Sequence, residues 1–157
     1  MTTLMRRRSI PAVAVAWCGS VDGRPNEPMK PYRPLNPAAL PEPVGNYTHG
    51  TLVQGAQQLL FVSGQVAWGD STGKVPSDFD AQCLAVWGNI ETVLREGGMQ
   101  LNDLVKVTTF LASREHRAAY GRIREQVLGA HAPALTIVIC EIYAPEWLLE
   151  IEAIAAR

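Results

Sequence analysis

Pro133-Ala134-Leu135-Thr136-Ile137-Val138-Ile139-Cys140 is short, bounded, rich in β-branched residues and almost free of polar side chains. Such a run reads as a buried strand. Gly129 and Pro133 stop whatever precedes it. After a loop centred on Pro145 comes a second apolar run, Trp147 to Ala156, which carries two closely spaced carboxylates, Glu150 and Glu152. Any site is expected to be built by these two segments.

Working outward from that strand, Ala119, Tyr120, Ile123 and Val127 form an apolar stripe, so residues 114 to 128 read as a helix capped by Ser113 and ended by Gly129. Before it, Leu104 to Leu111 reads as a strand with Val105, Val107, Thr109 and Leu111 on one face. Cys83, Val86, Trp87, Ile90, Val93 and Leu94 recur at spacings of three and four, which predicts a helix over residues 80 to 96, capped by Asp78 or Asp80 and stopped by Gly97-Gly98. Residues 47 to 67 read as a hairpin, with Thr51-Leu52-Val53 rising to a turn at 55 to 58 and Leu59 to Val66 returning; a loop at 69 to 73 follows. Seven prolines between residues 19 and 45 forbid regular helix and leave an extended lead-in, with room for a short strand at Tyr32 to Leu35.

The order is strand, strand, helix, strand, helix, strand, strand, which gives one mixed sheet with both helices on the same side. Two helices of about four turns cover one face only. The other face must hide elsewhere, and a second copy of the chain is the simplest cover. A homo-oligomer is expected.

At 157 residues the chain fits one domain. Residues 1 to 30 read as a flexible extension and residues 31 to 157 as the folded part. Residues 1 to 33 hold six Arg or Lys against two acids, and residues 34 to 157 hold eight against thirteen. The folded part is acidic, which argues against a nucleic-acid partner, since phosphate binding needs clustered bases. Cys18, Cys83 and Cys140 lack metal-ligand spacing and suit a reducing cytoplasm, and His49, His116 and His131 show no ligand spacing either, so no metal and no cofactor is expected. No run approaches a membrane span. Arg6-Arg7-Arg8 followed by Ile10 to Trp17 imitates a leader, but the apolar part is short and lacks an A-x-A site, so a tail is the simpler reading.

Several local sequences resemble one family. Leu60-Phe61-Val62-Ser63-Gly64-Gln65-Val66, Asn89 to Leu94 with Gly97-Gly98, Leu101-Asn102-Asp103-Leu104-Val105-Lys106-Val107-Thr108 and Leu149-Glu150-Ile151-Glu152-Ala153-Ile154-Ala155 appear in the order found in the Rid family, also called YjgF/YER057c/UK114. The resemblance runs from about residue 40 to residue 156. It implies a chorismate-mutase-like (YjgF-like) α+β fold and a homotrimer with sheets inside, helices outside and a small-molecule cleft at each subunit interface. Best-studied members hydrolyse reactive enamines and imines.

Carried over residue by residue, the resemblance places Tyr47, Ser63 and Gly64 in the cleft as substrate-binding residues and gives Glu150 the task of positioning water. A carboxylate suits that task because it can accept water's proton. Tyr120 occupies a helix position where many deaminase members have Asn, although a core or interface role suits its place on the apolar stripe. Leu135 stands where active deaminases carry an Arg that grips the substrate carboxylate, and Leu offers neither charge nor donor. Weak or absent 2-iminopropanoate deaminase activity is therefore expected. What remains is either hydrolysis of an imine lacking that carboxylate or binding of a small apolar ligand without catalysis. A nuclease or translation inhibitor ranks last because the folded part is acidic.

Overall fold

The computed structural model describes residues 30–68 and 73–157. The N-terminal extension and the loop at 69–72 lie outside the described residues.

The elements are β1 (Tyr32–Leu35), β2 (Gly50–Val53), β3 (Leu59–Gln65), α1 (Phe79–Glu96), β4 (Leu104–Leu111), α2 (Arg117–Leu128), β5 (Ala134–Ile139) and β6 (Leu149–Ala156). A four-stranded mixed sheet runs in the order β3, β6, β4, β5, with β4 parallel to β5 and β6 antiparallel to both of its neighbours. Strands β1 and β2 form a separate antiparallel pair.

Alternation decides which side chains meet the helices. Val105, Val107, Thr109 and Leu111 of β4 are buried, as are Leu149, Ile151, Ala153 and Ala155 of β6. They pack with Cys83, Val86, Trp87, Ile90 and Leu94 of α1 and with Tyr120 and Ile123 of α2 in one core. Each large apolar side chain removed from water here contributes about 1.5–3 kcal/mol. The α1 ends follow the sequence signals: the Asp78 carboxylate accepts from the Ala81 amide at 2.9 Å, and Gly98 turns the chain at φ +69°. At α2, Ser113 caps a turn of 3-10 helix over Arg114–His116, and α2 proper starts one residue later.

Two expectations change. The hairpin over 47–67 does not form, because β2 pairs with β1 while β3 pairs with β6. The turn residues at 55–58 carry the chain from one sheet to the other; Gln57 and Gln58 donate to the Arg157 carbonyl and dock the connection beside β6. Strand β5 is also less buried than its composition implies. It is the edge of the four-stranded sheet, with Val138 and Ile139 each 37% exposed, and only Leu135 and Ile137 pack against the core.

Candidate active site

The open face of the sheet carries the side chains that alternate away from the core. They include Phe61 and Ser63 from β3, Glu150, Glu152 and Ile154 from β6, and Lys106 and Thr108 from β4. A shallow cavity of about 370 Å³ lies among Phe61, Ser63, Lys106, Thr108, Glu152 and Ile154. Above it, Glu150 stands opposite Phe110.

Local geometry at Ser63-Gly64 brings two of the expected site residues together. Val62 pairs with Ala153 and Gln65 with Ile151, so β3 spends three steps where β6 spends two. That is a β-bulge, a feature common beside active sites because it redirects a side chain or exposes backbone. Within it, a Cβ added at Gly64 would fall 1.6 Å from Glu150 Oε1. The carboxylate thus lies directly on the Gly64 backbone, in space that any other residue would fill. Gly64 is needed here for close approach, since its φ is not in the left-handed region. No hydrogen bond or ion pair to Glu150 occurs among the described residues, so a half-buried carboxylate keeps its lone pairs for another partner.

Lys106 is the cation of this face. Its Nζ donates to Thr136 Oγ1 on β5, burial pushes its pKa below the usual lysine value, and Glu152 acts in the opposite direction. The register that places Lys106 level with Ala134 on one side and Ile154 on the other brings it into the cavity.

Tyr47 and Leu135 lie elsewhere. Thr48 bridges Ala134 in parallel fashion and its amide donates to Pro133 O at 3.2 Å, which docks the 45–48 segment alongside the start of β5. Tyr47 is half-buried there, with its ring edge-on to His49 at 5.9 Å. Leu135 is level with Val107, on the helix-covered face, and packs against the core. From Leu135 to Glu150 is three residues along β4 and two strands across, about 14 Å at ordinary strand spacings, and on opposite faces.

Tyr120 is corrected. Its side chain is fully buried, its hydroxyl is 2.5 Å from Thr109 Oγ1, and Arg124 lies over its ring at 5.6 Å. Burial pushes its pKa up to about 12, so within this chain it is a neutral phenol packed in the core. Cys83 is similarly buried and raised to about 12, which keeps the thiol inert. Among the described residues no cluster of His, Cys, Asp or Glu has metal-ligand geometry, and no helix is long and apolar enough to cross a membrane.

The geometry has counterparts in known proteins. The family model described as Endoribonuclease L-PSP matches residues 37–157. A RutC family protein of Pyrococcus abyssi is 34% identical over 118 residues, covering 74% of this chain and 91% of its own. The 2-iminobutanoate/2-iminopropanoate deaminase of Escherichia coli K12 is 30% identical, covering 69% and 88% respectively. The crystal structure of the Rid-family protein YyfB from Yersinia pestis superposes with a TM-score of 0.71 at 30% identity, covering 81% of this chain and 99% of that one. Two helices on a mixed sheet, with the matched segment spanning the whole described sheet and both helices, place this chain in the Endoribonuclease L-PSP family, the YjgF or Rid family.

Proposed function

We propose that the chain is a hydrolase of small imines or enamines that lack the carboxylate typical of the family's amino-acid-derived substrates. The observation that carries this reading is the Glu150 carboxylate, without a partner among the described residues, laid on the Gly64 backbone at the Ser63-Gly64 bulge. The deaminase name of the Escherichia coli relative supports the reaction type.

In the proposed step Glu150 accepts a proton from water while the water oxygen bonds to the imine carbon and the C=N π electrons move to nitrogen. The nitrogen takes up the proton. Collapse of the resulting carbinolamine expels ammonia and leaves the carbonyl product, so one imine and one water give one carbonyl compound and one ammonia. Ser63, next to Gly64 on the same strand, is the hydroxyl proposed to donate to the developing oxygen or nitrogen.

The substrate class rests on the family resemblance, in which Leu135 stands where deaminases carry an Arg; within one chain Leu135 packs beside Val107 on the face away from Glu150. Lys106 is engaged with Thr136 and faces the charge of Glu152, four positions along β4 from the residue opposite Glu150.

The separation of Tyr47 from Glu150 supports a cleft shared between subunits. One chain holds Tyr47 beside the start of β5 and Glu150 level with Phe110 toward the other end of β4, so a second copy is proposed to close a pocket around both. Leu59 at 57% and Phe61 at 70% exposure on the open face give that copy an apolar surface to cover. A homotrimer is the assembly proposed, by likeness to the family.

The test is ammonia release above the spontaneous rate from imines generated in place. Imines made from simple amines by an amine oxidase should be accelerated, and 2-iminopropanoate made by an amino-acid oxidase should be accelerated little. Robust turnover of 2-iminopropanoate with none of the amine-derived imines would overturn the proposed substrate class.

A further inference from the structure

The two carboxylates of β6 keep different company on the open face of the sheet. Glu152 is level with Thr108 on β4, which is level in turn with Thr136 on β5. It shares a cavity with Lys106, Thr108 and Ser63, so its neighbours are hydroxyls and a cation. Glu150 is level with Phe110, and Phe110 is level with Val138. Residues level in register point to the same face, so Glu150, Phe110 and Val138 form one row across β6, β4 and β5. Cross-strand Cβ atoms of a directly opposite pair lie about 4.5–5.5 Å apart. Val138 is one strand further, about 10 Å from Glu150 at ordinary strand spacing.

The apolar part of this row serves no core. Phe110 is half-buried and Val138 is exposed. The described residues of β5 that pack against the buried cluster are Leu135 and Ile137, which face the helices, and Phe110 is not among the packed residues of β4. At its far end the row meets Gly64, on whose backbone the Glu150 carboxylate lies. The strip thus offers a carboxylate without a partner among the described residues at one end and hydrocarbon along the rest. A wholly apolar cover would strip water from Glu150 and return no hydrogen bond, which is costly for a carboxylate. The occupant that matches the strip is a small molecule with an N–H or O–H donor at one end and a hydrocarbon tail. Each methylene laid on the strip leaves water, so affinity should rise with tail length.

We infer that Phe110 and Val138 set the specificity of the Glu150 site, and that its substrate carries an alkyl tail that lies over Phe110 toward Val138 while the imine carbon faces Glu150. This deepens the proposed hydrolase reading and rests on it for the reaction. The binding preference stands apart from it.

Binding and turnover are tested separately on the full chain. Calorimetry compares heptan-2-one with butanone, two stable methyl ketones of different chain length, and ammonia release is followed with imines generated in place from hexylamine and from ethylamine. The longer ketone should bind at least tenfold tighter, and kcat/KM should favour the longer imine by a similar factor, carried by KM. Phe110→Ala should remove most of both preferences, and Phe110→Leu should keep most of them. Val138→Thr holds the volume but adds a hydroxyl to the strip, so it should weaken both preferences, with wild-type circular dichroism because the site is exposed. Equal binding of the two ketones, or a chain-length preference intact in both Phe110→Ala and Val138→Thr, would overturn the inference. So would loss of the wild-type sedimentation state in folded Val138→Thr, since the row would then be a subunit contact. Long-chain ketone binding with no turnover of either imine upholds the strip and removes the hydrolase reading; turnover of both imines at equal kcat/KM does the reverse.

Discussion

At Gly64 a single hydrogen side chain makes room for the carboxylate that the proposed chemistry needs. Placing a methyl 1.6 Å from Glu150 Oε1 forces the carboxylate away, but the atom displaced is the end of a flexible side chain and the backbone is unstrained. Gly64→Ala should therefore change stability by less than about 1 kcal/mol while lowering ammonia release at least tenfold; thermal melting and turnover on the same preparation check it. A large loss of stability with unchanged turnover would make Gly64 a folding residue only. Ser63, Gly64 and Glu150 were legible in the sequence through family resemblance, and their meeting at a bulge was not, because a one-residue register slip leaves no mark beyond a glycine inside a strand. Tyr120 was misplaced for a related reason. A tyrosine on a helix stripe looks the same whether its hydroxyl meets a ligand or, as here, Thr109.

Among the elements, α1 carries more than its apolar stripe. Gln82 and Asn89 are polar residues on a helix whose other inward positions are apolar, and nothing local marks them as inward-facing, so the tether from α1 to the segments before β6 and after β3 was invisible in the sequence. Gln82→Leu keeps the volume but takes the side-chain partner from Pro76 O, Glu146 O and the Leu148 amide. At about 1 kcal/mol per lost hydrogen bond, with a further penalty for buried unmet groups, the cost should be about 2–4 kcal/mol. Urea unfolding measures it, and a cost near zero would show that water replaces the amide. The strands were read well where alternation was strict, as in β4 and β6, since period two against a one-sided cover leaves little choice. Strand β5 misled because an apolar edge strand and an apolar central strand have the same composition; the exposure of Val138 and Ile139 marks a surface that the single chain leaves open.

Over the whole molecule, two buried acids set the alkaline limit. Cys83 and Tyr120 keep their protons in the fold up to about pH 12, against ordinary values of 9.0 and 10.0, chiefly because burial disfavours the charged forms. The unfolded chain releases these protons first. Stability is thus complete below about pH 9 and falls as pH rises toward 12. Lys106, held below its usual value by burial, works the other way up to its unfolded value of 10.5, one group against two. Urea midpoints at pH 8 and pH 11 should differ in favour of pH 8, and equal midpoints would contradict the burial of these groups.

The same scale holds the assembly. Phe61→Asp should leave a folded chain, because Phe61 is 70% exposed within it, but should shift a proposed trimer toward monomer in sedimentation. A wild-type chain that sediments as a monomer at micromolar concentration would remove the shared cleft. The sequence left one sheet face without cover and so pointed to oligomerisation. The number three came from resemblance alone, since one chain's surface does not specify a rotation.

The central claim is that Glu150 at the bulge activates water against an imine carbon, and the most direct measurement is ammonia release by Glu150→Gln beside the wild type. Gln keeps the shape and removes the basicity, so release from an amine-derived imine should fall at least about a hundredfold, in line with the contribution of a general base. Turnover within twofold of wild type in a folded Glu150→Gln protein would contradict the account.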